Sequence, residues 1–274
     1  MLNILIVNDD GYQGPGLHAL VRALKGVHRL TVVTPKRERS GTSNHITYLD
    51  PLVVEKRRLD FLDMDVYIVD GTPADCGYLG IGAICQRKPD LVVSGINDGQ
   101  NIAEGLLYSG TIAGAMQGAL SGISAVALST AAHGDFDGAA AYFTKLLPIL
   151  CQKEHPFFYN INFPHGPVKE AKGLRKAKVA GNRFAEFLDR RPGPQNREYF
   201  WHIYQDSADF QEEREGNLPS FYVGDFQQGD DVALLEEGYI TITPLKIQYL
   251  DEESWGGMDA LVGQANDFFE KKEI

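Results

Sequence analysis

The chain has 274 residues, 43% of them hydrophobic, a formal net charge of −11 and three cysteines. That length supports a full core in one large domain, while the charge disfavours nucleic acid or an anionic membrane surface as a partner. No apolar run of about eighteen residues and no leader-like N-terminus is present, so neither a membrane span nor a signal peptide is expected, and a cytoplasmic location is.

Leu2 to Val7 is almost continuously apolar and stops at Asn8-Asp9-Asp10-Gly11. A short apolar run closed by turn residues predicts a buried parallel strand. Pro15 opens a helix, Leu17, Leu20, Val21 and Leu24 follow at helical spacing, and Gly26 closes it. Leu30 to Val33 is a second strand and Val66 to Val69 a third. Thr72-Pro73-Ala74-Asp75 forms a capping box, so a helix is expected from there to about Cys85. Asp90 to Ser94 is a strand, Thr111 to Leu120 a helix and Ser124 to Leu128 a strand. Phe143, Leu146, Leu147 and Leu150 mark a further helix, and Phe157 to Ile161 a further strand. This alternation predicts an α/β fold, a mostly parallel sheet with helices on both faces. After about Pro164 the pattern weakens. Residues 183 to 232 are rich in charge, Gly, Pro and aromatics, with strand-like pieces at Tyr199 to Tyr204 and Tyr239 to Thr243. The expectation is one domain over 1–274, with a core at about 1–165 and a C-terminal part at about 166–274 serving as arm, lid or oligomer contact.

The cysteines are Cys76, Cys85 and Cys151, with no CxxC. They predict reduced thiols rather than disulfides or structural zinc.

Open parallel sheets bind ligands beyond the C-terminal ends of their strands. The residues there are Asn8 to Gly11, Arg37 to Asn44, and the run from Gly95 to Thr111. Asp9 and Asp10 would point apart inside a strand, but at a strand end beside Gly11 both can bend towards one point. Two close carboxylates repel unless a cation lies between them. Magnesium or manganese suits oxygen ligands, and Ser40 and Asn97 offer neutral oxygens from the other loops. A turn with solvated carboxylates is the alternative for this tetrad taken alone. Gly41, among Arg37, Arg39 and Thr42, suits an anion loop, against the alternative of a solvated loop with an internal ion pair. Ser109-Gly110-Thr111 opens a helix of small residues, which is either a phosphate cradle or an ordinary cap.

The sequence contains no GxGxxG after the first strand, no GxxxxGK[ST] and no HExxH. It also contains no GxSxG elbow. The pair is DD rather than DxD, which weighs against a covalent aspartyl intermediate. A bound cation and helix N-termini would offset the overall negative charge for a phosphate substrate.

Asn8-Asp9-Asp10-Gly11-Tyr12 with Gly14-Pro15-Gly16, then Pro35 through Arg39-Ser40-Gly41, resembles the SurE (survival protein E) family of stationary-phase 5′-nucleotidases. So do the segment Val69 to Cys76, the segment Pro89 to Asn97, Leu107-Tyr108-Ser109-Gly110-Thr111, and Gly238-Tyr239 through Thr243-Pro244-Leu245. The resemblance covers nearly the whole chain and is least distinctive at 183 to 232. It implies a Rossmann-like core and a C-terminal part engaged in forming homodimers or homotetramers. It also implies one divalent cation per subunit, Mg²⁺ or Mn²⁺, held by Asp9, Asp10, Ser40 and Asn97. The implied reaction is hydrolysis of nucleoside 5′-monophosphates, with 3′-nucleotides and polyphosphate as further substrates. Asp9 and Asp10 are then the catalytic pair, and Gly41, Asn101, Ser109, Gly110 and Thr111 hold the phosphate. The chain departs from the family at Asp98, where a basic residue or His is common, and at Ile102 to Leu106. Two rivals stay open: a non-catalytic nucleotide sensor, and a phosphatase with an aspartyl-phosphate intermediate.

Overall fold

Continuous apolar runs become the buried strands, and punctuated amphipathic runs become the helices. The structure, a computed structural model, describes residues 1–181, 183–184, 188–202, 222–223 and 227–247, with Met258 and Val262. β1 (Asn3–Val7) leads into α1 (Pro15–Leu24), whose Leu17, Leu20, Val21 and Leu24 form one buried stripe. β2 (Arg29–Pro35), β3 (Val54–Leu59) and β4 (Met64–Val69) follow. α2 (Pro73–Leu79) begins at the capping box: the Thr72 side chain accepts the Asp75 N–H, and Asp75 accepts the Thr72 N–H. It continues as a wider turn over Gly80–Ile84, which carries the helical path nearly to the expected Cys85. β5 (Leu91–Asp98), a 3₁₀ turn (Ala103–Leu107), α3 (Gly110–Leu120), β6 (Ser124–Thr130), α4 (Phe136–Leu150) and β7 (Phe158–Asn162) complete the alternating part. The described remainder holds β8 (Leu174–Lys176), β9 (Arg183–Phe184), β10 (Leu188–Pro192), β11 (Glu198–His202), β12 (Tyr222–Val223), α5 (Asp231–Glu236) and β13 (Ile240–Pro244).

The main sheet runs β3-β4-β2-β1-β5-β6-β7-β13-β8. β4 through β7 are parallel, while β3 on β4 and β13 on β7 are antiparallel. α1 and α4 pack on one face over a cluster that includes Ile4, Ile6, Leu20, Phe143 and Leu147. α2 and α3 cover the other face over Leu5, Val7, Val92 and Ala125. The expected α/β fold with helices on both faces is therefore present. Strand order reverses between β1 and β5, and at that switch point the carboxyl ends of neighbouring strands open a crevice.

Three differences from the sequence reading have physical causes. β3 is VEKRRL, an exposed edge strand with no apolar run to announce it. β5 extends four residues past Ser94, through a register irregularity between Ser94 and Asn97. β8 and β13 continue the main sheet across the boundary placed at about residue 165. The strand-like piece at Tyr199 to Tyr204 is β11 as far as His202, and residues 203 to 204 lie outside the described residues, as do 203 to 221 of the region read as a lid.

Close backbone approach locks α1 to β5. A Cβ on Gly16 would sit 1.8 Å from the carbonyl oxygen of Ile96. Only a residue without a side chain lets the helix start this near the strand end where Asn97 lies.

Candidate active site

Asp9 and Asp10 stand just past β1, at the switch point. Asn8 beneath them is fully buried and fixes the turn: its Nδ2 donates to the Gly11 carbonyl at 2.9 Å, and Thr34 Oγ1 donates to its Oδ1 at 2.6 Å. Gly11 takes φ +84° there, a conformation open to glycine at little cost. The chain turns at once, so both carboxylates leave the strand on the same side.

Asp9 is 3% exposed. Thr111 donates to it twice, from Oγ1 to Oδ1 at 2.6 Å and from its backbone N–H. Burial outweighs these bonds and pushes the Asp9 carboxyl up to about 6. Asp10 is pushed to about 7, by burial first, then by the charge of Asp9, then by that of Asp98. The backbone N–H of Asp98 donates to it and partly opposes the shift. Asp10 Oδ2 is buried with no hydrogen-bond partner among the described residues.

Two adjacent carboxyls, one of them with an unpartnered buried oxygen, repel each other unless a cation lies between them. A divalent ion fits this arrangement. Among the described residues no group of three or more His, Cys, Asp or Glu side chains forms a metal cluster. The remaining ligands would therefore be neutral oxygens and water, a donor set that suits Mg²⁺ or Mn²⁺ better than zinc.

Asn97 lies half-buried at the end of β5, beside Asp98. Its Nδ2 donates to the Gly99 carbonyl at 2.7 Å, which orients the amide. The second loop reaches the pair through its backbone, because the Arg39 N–H donates to the Asp9 carbonyl at 2.8 Å. Ser40 and Gly41 are exposed on that loop. The Ser40 hydroxyl donates to Glu38 Oε1 at 3.1 Å and so faces Glu38 rather than the aspartates. The same loop is tied to the third: Ser43 donates to the Leu107 carbonyl from its side chain at 2.7 Å and to the Tyr108 carbonyl from its N–H at 3.0 Å.

Ser109 caps α3 by accepting the Ile112 N–H at 3.1 Å. Gly110 packs on Asp9; a Cβ there would meet Asp9 Cβ at 2.8 Å and Oδ2 at 3.0 Å. The helix N-terminus, with its partial positive charge, thus abuts the first carboxylate. The Thr111 hydroxyl, expected to bind phosphate, is committed to Asp9. Asn101 Nδ2 donates to Thr111 Oγ1 at 3.3 Å and to Ser129 Oγ at 2.8 Å. Its N–H donates to Asn162 Oδ1, and its carbonyl accepts from Asn160 and Asn162. Asn101 therefore transmits the position of β7 to Thr111, and Thr111 transmits it to Asp9.

The structure brings together Asp9, Asp10, Asn97, Asn101, Ser109, Gly110 and Thr111, and ties the Ser40–Gly41 loop to them by backbone bonds. The sequence reading gave Asn8 no role of its own and missed Thr34, Ser129, Asn160 and Asn162. A signal for the last two was available: FYNIN in β7 places two asparagines on one face of a buried strand. A cavity of about 590 Å³ opens at the opposite rim, by Asn3, Arg29 and Met64 at the strands' starting ends, and neither aspartate lines it.

Comparison with known proteins agrees with the geometry. The family model described as "Survival protein SurE" matches residues 4–186. A protein of Synechococcus sp. (strain JA-3-3Ab), named 5′-nucleotidase SurE, is 37% identical over 89% of this chain and 92% of its own. One of Yersinia pestis (strain Pestoides F), named 5′/3′-nucleotidase SurE, is 36% identical over 93% of this chain and 96% of its own. The crystal structure of the SurE protein from Aquifex aeolicus superposes with a TM-score of 0.76 at 31% identity, over 94% of this chain and 99% of that one.

Proposed function

This chain belongs to the SurE family, and on that premise we propose that it is a divalent-metal-dependent phosphomonoesterase. It hydrolyses nucleoside 5′-monophosphates to nucleoside and phosphate, with 3′-nucleotides and polyphosphate as further substrates. The observation that carries the metal-dependent reading is the adjacent carboxyls of Asp9 and Asp10 at the switch point, the first buried and the second with a buried, unpartnered oxygen.

Asp9, Asp10 and Asn97 would hold one Mg²⁺ or Mn²⁺, joined by Ser40 once its hydroxyl turns from Glu38. When bound, the ion supplies Lewis-acid polarisation and lowers the pKa of water. The chain's own groups do the rest. Thr111 holds Asp9 in one rotamer. Asp10, with an uncommitted buried oxygen, is the better placed of the two to take the proton of an attacking water. The N-terminus of α3, which abuts Asp9 through Gly110 and Thr111, would offer N–H groups to the phosphoryl oxygens, and Gly41 would add backbone N–H groups from the second loop. In phosphoryl transfer, positioned donors of this kind carry most of the catalysis. Locally they reverse the field of a chain with net charge −11.

Thr111→Val keeps the shape of the side chain and removes the hydroxyl bond to Asp9. Turnover is expected to fall about 10- to 100-fold, the worth of one hydrogen bond to a charged group. The circular dichroism spectrum should be unchanged. Steady-state phosphate release checks this, and unchanged kcat would deny Thr111 its role.

We further infer a homodimer or homotetramer in the cytoplasm, organised as a single domain. The β10–β11 hairpin supports the oligomer, since it exposes Tyr199 and Phe200 on a two-stranded sheet of its own. Among the described residues no helix is long and apolar enough to cross a membrane.

A further inference from the structure

Asp231 is 0% exposed, and no part of the catalytic reading uses it. A buried carboxylate needs partners, and among the described residues this one has three, all backbone N–H groups. Its Oδ2 accepts from Ala103 at 3.0 Å, and its Oδ1 accepts from Ala180 at 3.0 Å and from Val232 at 2.9 Å. The three donors lie in three separate stretches of chain: the loop after β5, the segment after β8, and α5 itself. Around them Ile102, Ala103, Ala180, Val232 and Leu235 form a small apolar cluster apart from the two main cores.

What Asp231 grips matters more than where it sits. Ala103 has φ +49°, a conformation that a residue with a side chain adopts at a cost. Ala103 also starts the 3₁₀ turn Ala103–Leu107. The far end of that turn accepts both bonds from Ser43 of the second loop. Two residues before Ala103 is Asn101, which holds Thr111. Six residues after it is Ser109, the cap of α3. The loop that forms one wall of the site is thus fastened at one end by Asn160 and Asn162, and in its middle by a carboxylate 128 positions later in the chain.

We infer that Asp231 is a positioning residue for the active site, holding the Asn101–Ser109 wall so that Asn101, Thr111 and the start of α3 meet Asp9. This rests on the proposed function, and it makes α5, in the C-terminal part of the chain, a component of the catalytic scaffold. Asp231→Asn puts an amide donor where a carboxylate oxygen now faces an N–H, so at least one of the three bonds is lost. The wall loosens, while Asp9, Asp10 and Asn97, carried by β1 and β5, stay in place.

The test combines kinetics and hydrogen exchange on the full-length chain. For Asp231→Asn, kcat/KM for AMP with Mn²⁺ is expected to fall about tenfold or more, and the Mn²⁺ concentration for half-activation to stay within about twofold of wild type. Amides in residues 99–110 should exchange faster, with those of β1 and α1 unchanged. A purely structural role would lower the melting temperature but leave kcat and KM per folded molecule as in wild type, and that result overturns the inference. Should Asp231→Asn not fold, Asp231→Glu keeps the charge and both acceptor oxygens but sets them one methylene out of register with the three N–H groups. The same kinetic pattern, smaller in size, is then expected, and wild-type kinetics would overturn the inference. The two readings fail separately. Faster exchange at 99–110 in a protein whose wild type releases no phosphate would sink the enzymatic reading and leave Asp231's hold on the wall intact.

Discussion

Asp9→Asn and Asp10→Asn are each expected to lower phosphate release about a thousandfold or more, which is about 4 kcal/mol of barrier, without loss of fold. Both substitutions keep the size of the side chain. Asn at position 9 can still accept the Thr111 hydroxyl, and Asn at position 10 can still accept the Asp98 N–H. What each removes is the charge that holds a cation between the two. In the metal-free protein the same change relieves a cost, because burial already pushes both carboxyls up, to about 6 and about 7. The variants should therefore melt no lower than wild type in EDTA, while their activity is gone. Near wild-type turnover in both would remove the metal site from the mechanism. Loss of turnover together with loss of folded signal would show that the pair is structural.

The second large effect is on stability. An acid whose pKa is higher in the folded than in the unfolded protein contributes its stability in full below the unfolded value, and the contribution is lost as pH rises through the folded value. The unfolded values lie near 3.8. Metal-free protein is thus expected to lose stability steadily between about pH 4 and pH 7. Both carboxyls act in the same direction, so the loss is greatest near neutral pH. Saturating Mn²⁺ should reverse the trend. It binds the ionised pair and adds stability through mass action, about 2.7 kcal/mol at a hundredfold excess over Kd. Thermal melts in EDTA and in Mn²⁺ across this range check both signs, and subtracting the Asp10→Asn profile isolates the contribution of that carboxyl. A metal-free melting temperature that rises from pH 4 to 7 after this subtraction would contradict the environment described for Asp10.

The parallel core and the gathering of polar loops at one rim were legible in the sequence because each depends on local pattern. Leu2 to Val7 can only be a buried strand, and the polar residues that follow such strands must gather at one rim. Asp9, Asp10, Asn97 and Ser109 to Thr111 therefore fall together without any three-dimensional information. Bonds between segments distant in sequence were not legible. Nothing local says that Thr111 donates to Asp9 across 102 positions, or that Asn160 and Asn162 hold the Asn101 carbonyl. β3 was hidden because an edge strand with charged side chains has no apolar signature. α5 was hidden because it is only six residues long, and Asp231 because a buried Asp looks like any surface Asp until its three donors are seen. Asp98 shows the reverse: its departure from the family pattern was visible in the sequence, but its effect on Asp10 emerged only from their proximity.

The most direct test of the whole reading is phosphate release from a panel of nucleoside 5′- and 3′-monophosphates, with Mn²⁺, Mg²⁺ or EDTA. The expected result is release from the nucleotides that requires a divalent cation and stops in EDTA. No release with any cation, from protein that melts cooperatively, would contradict it and leave a nucleotide-binding module without turnover.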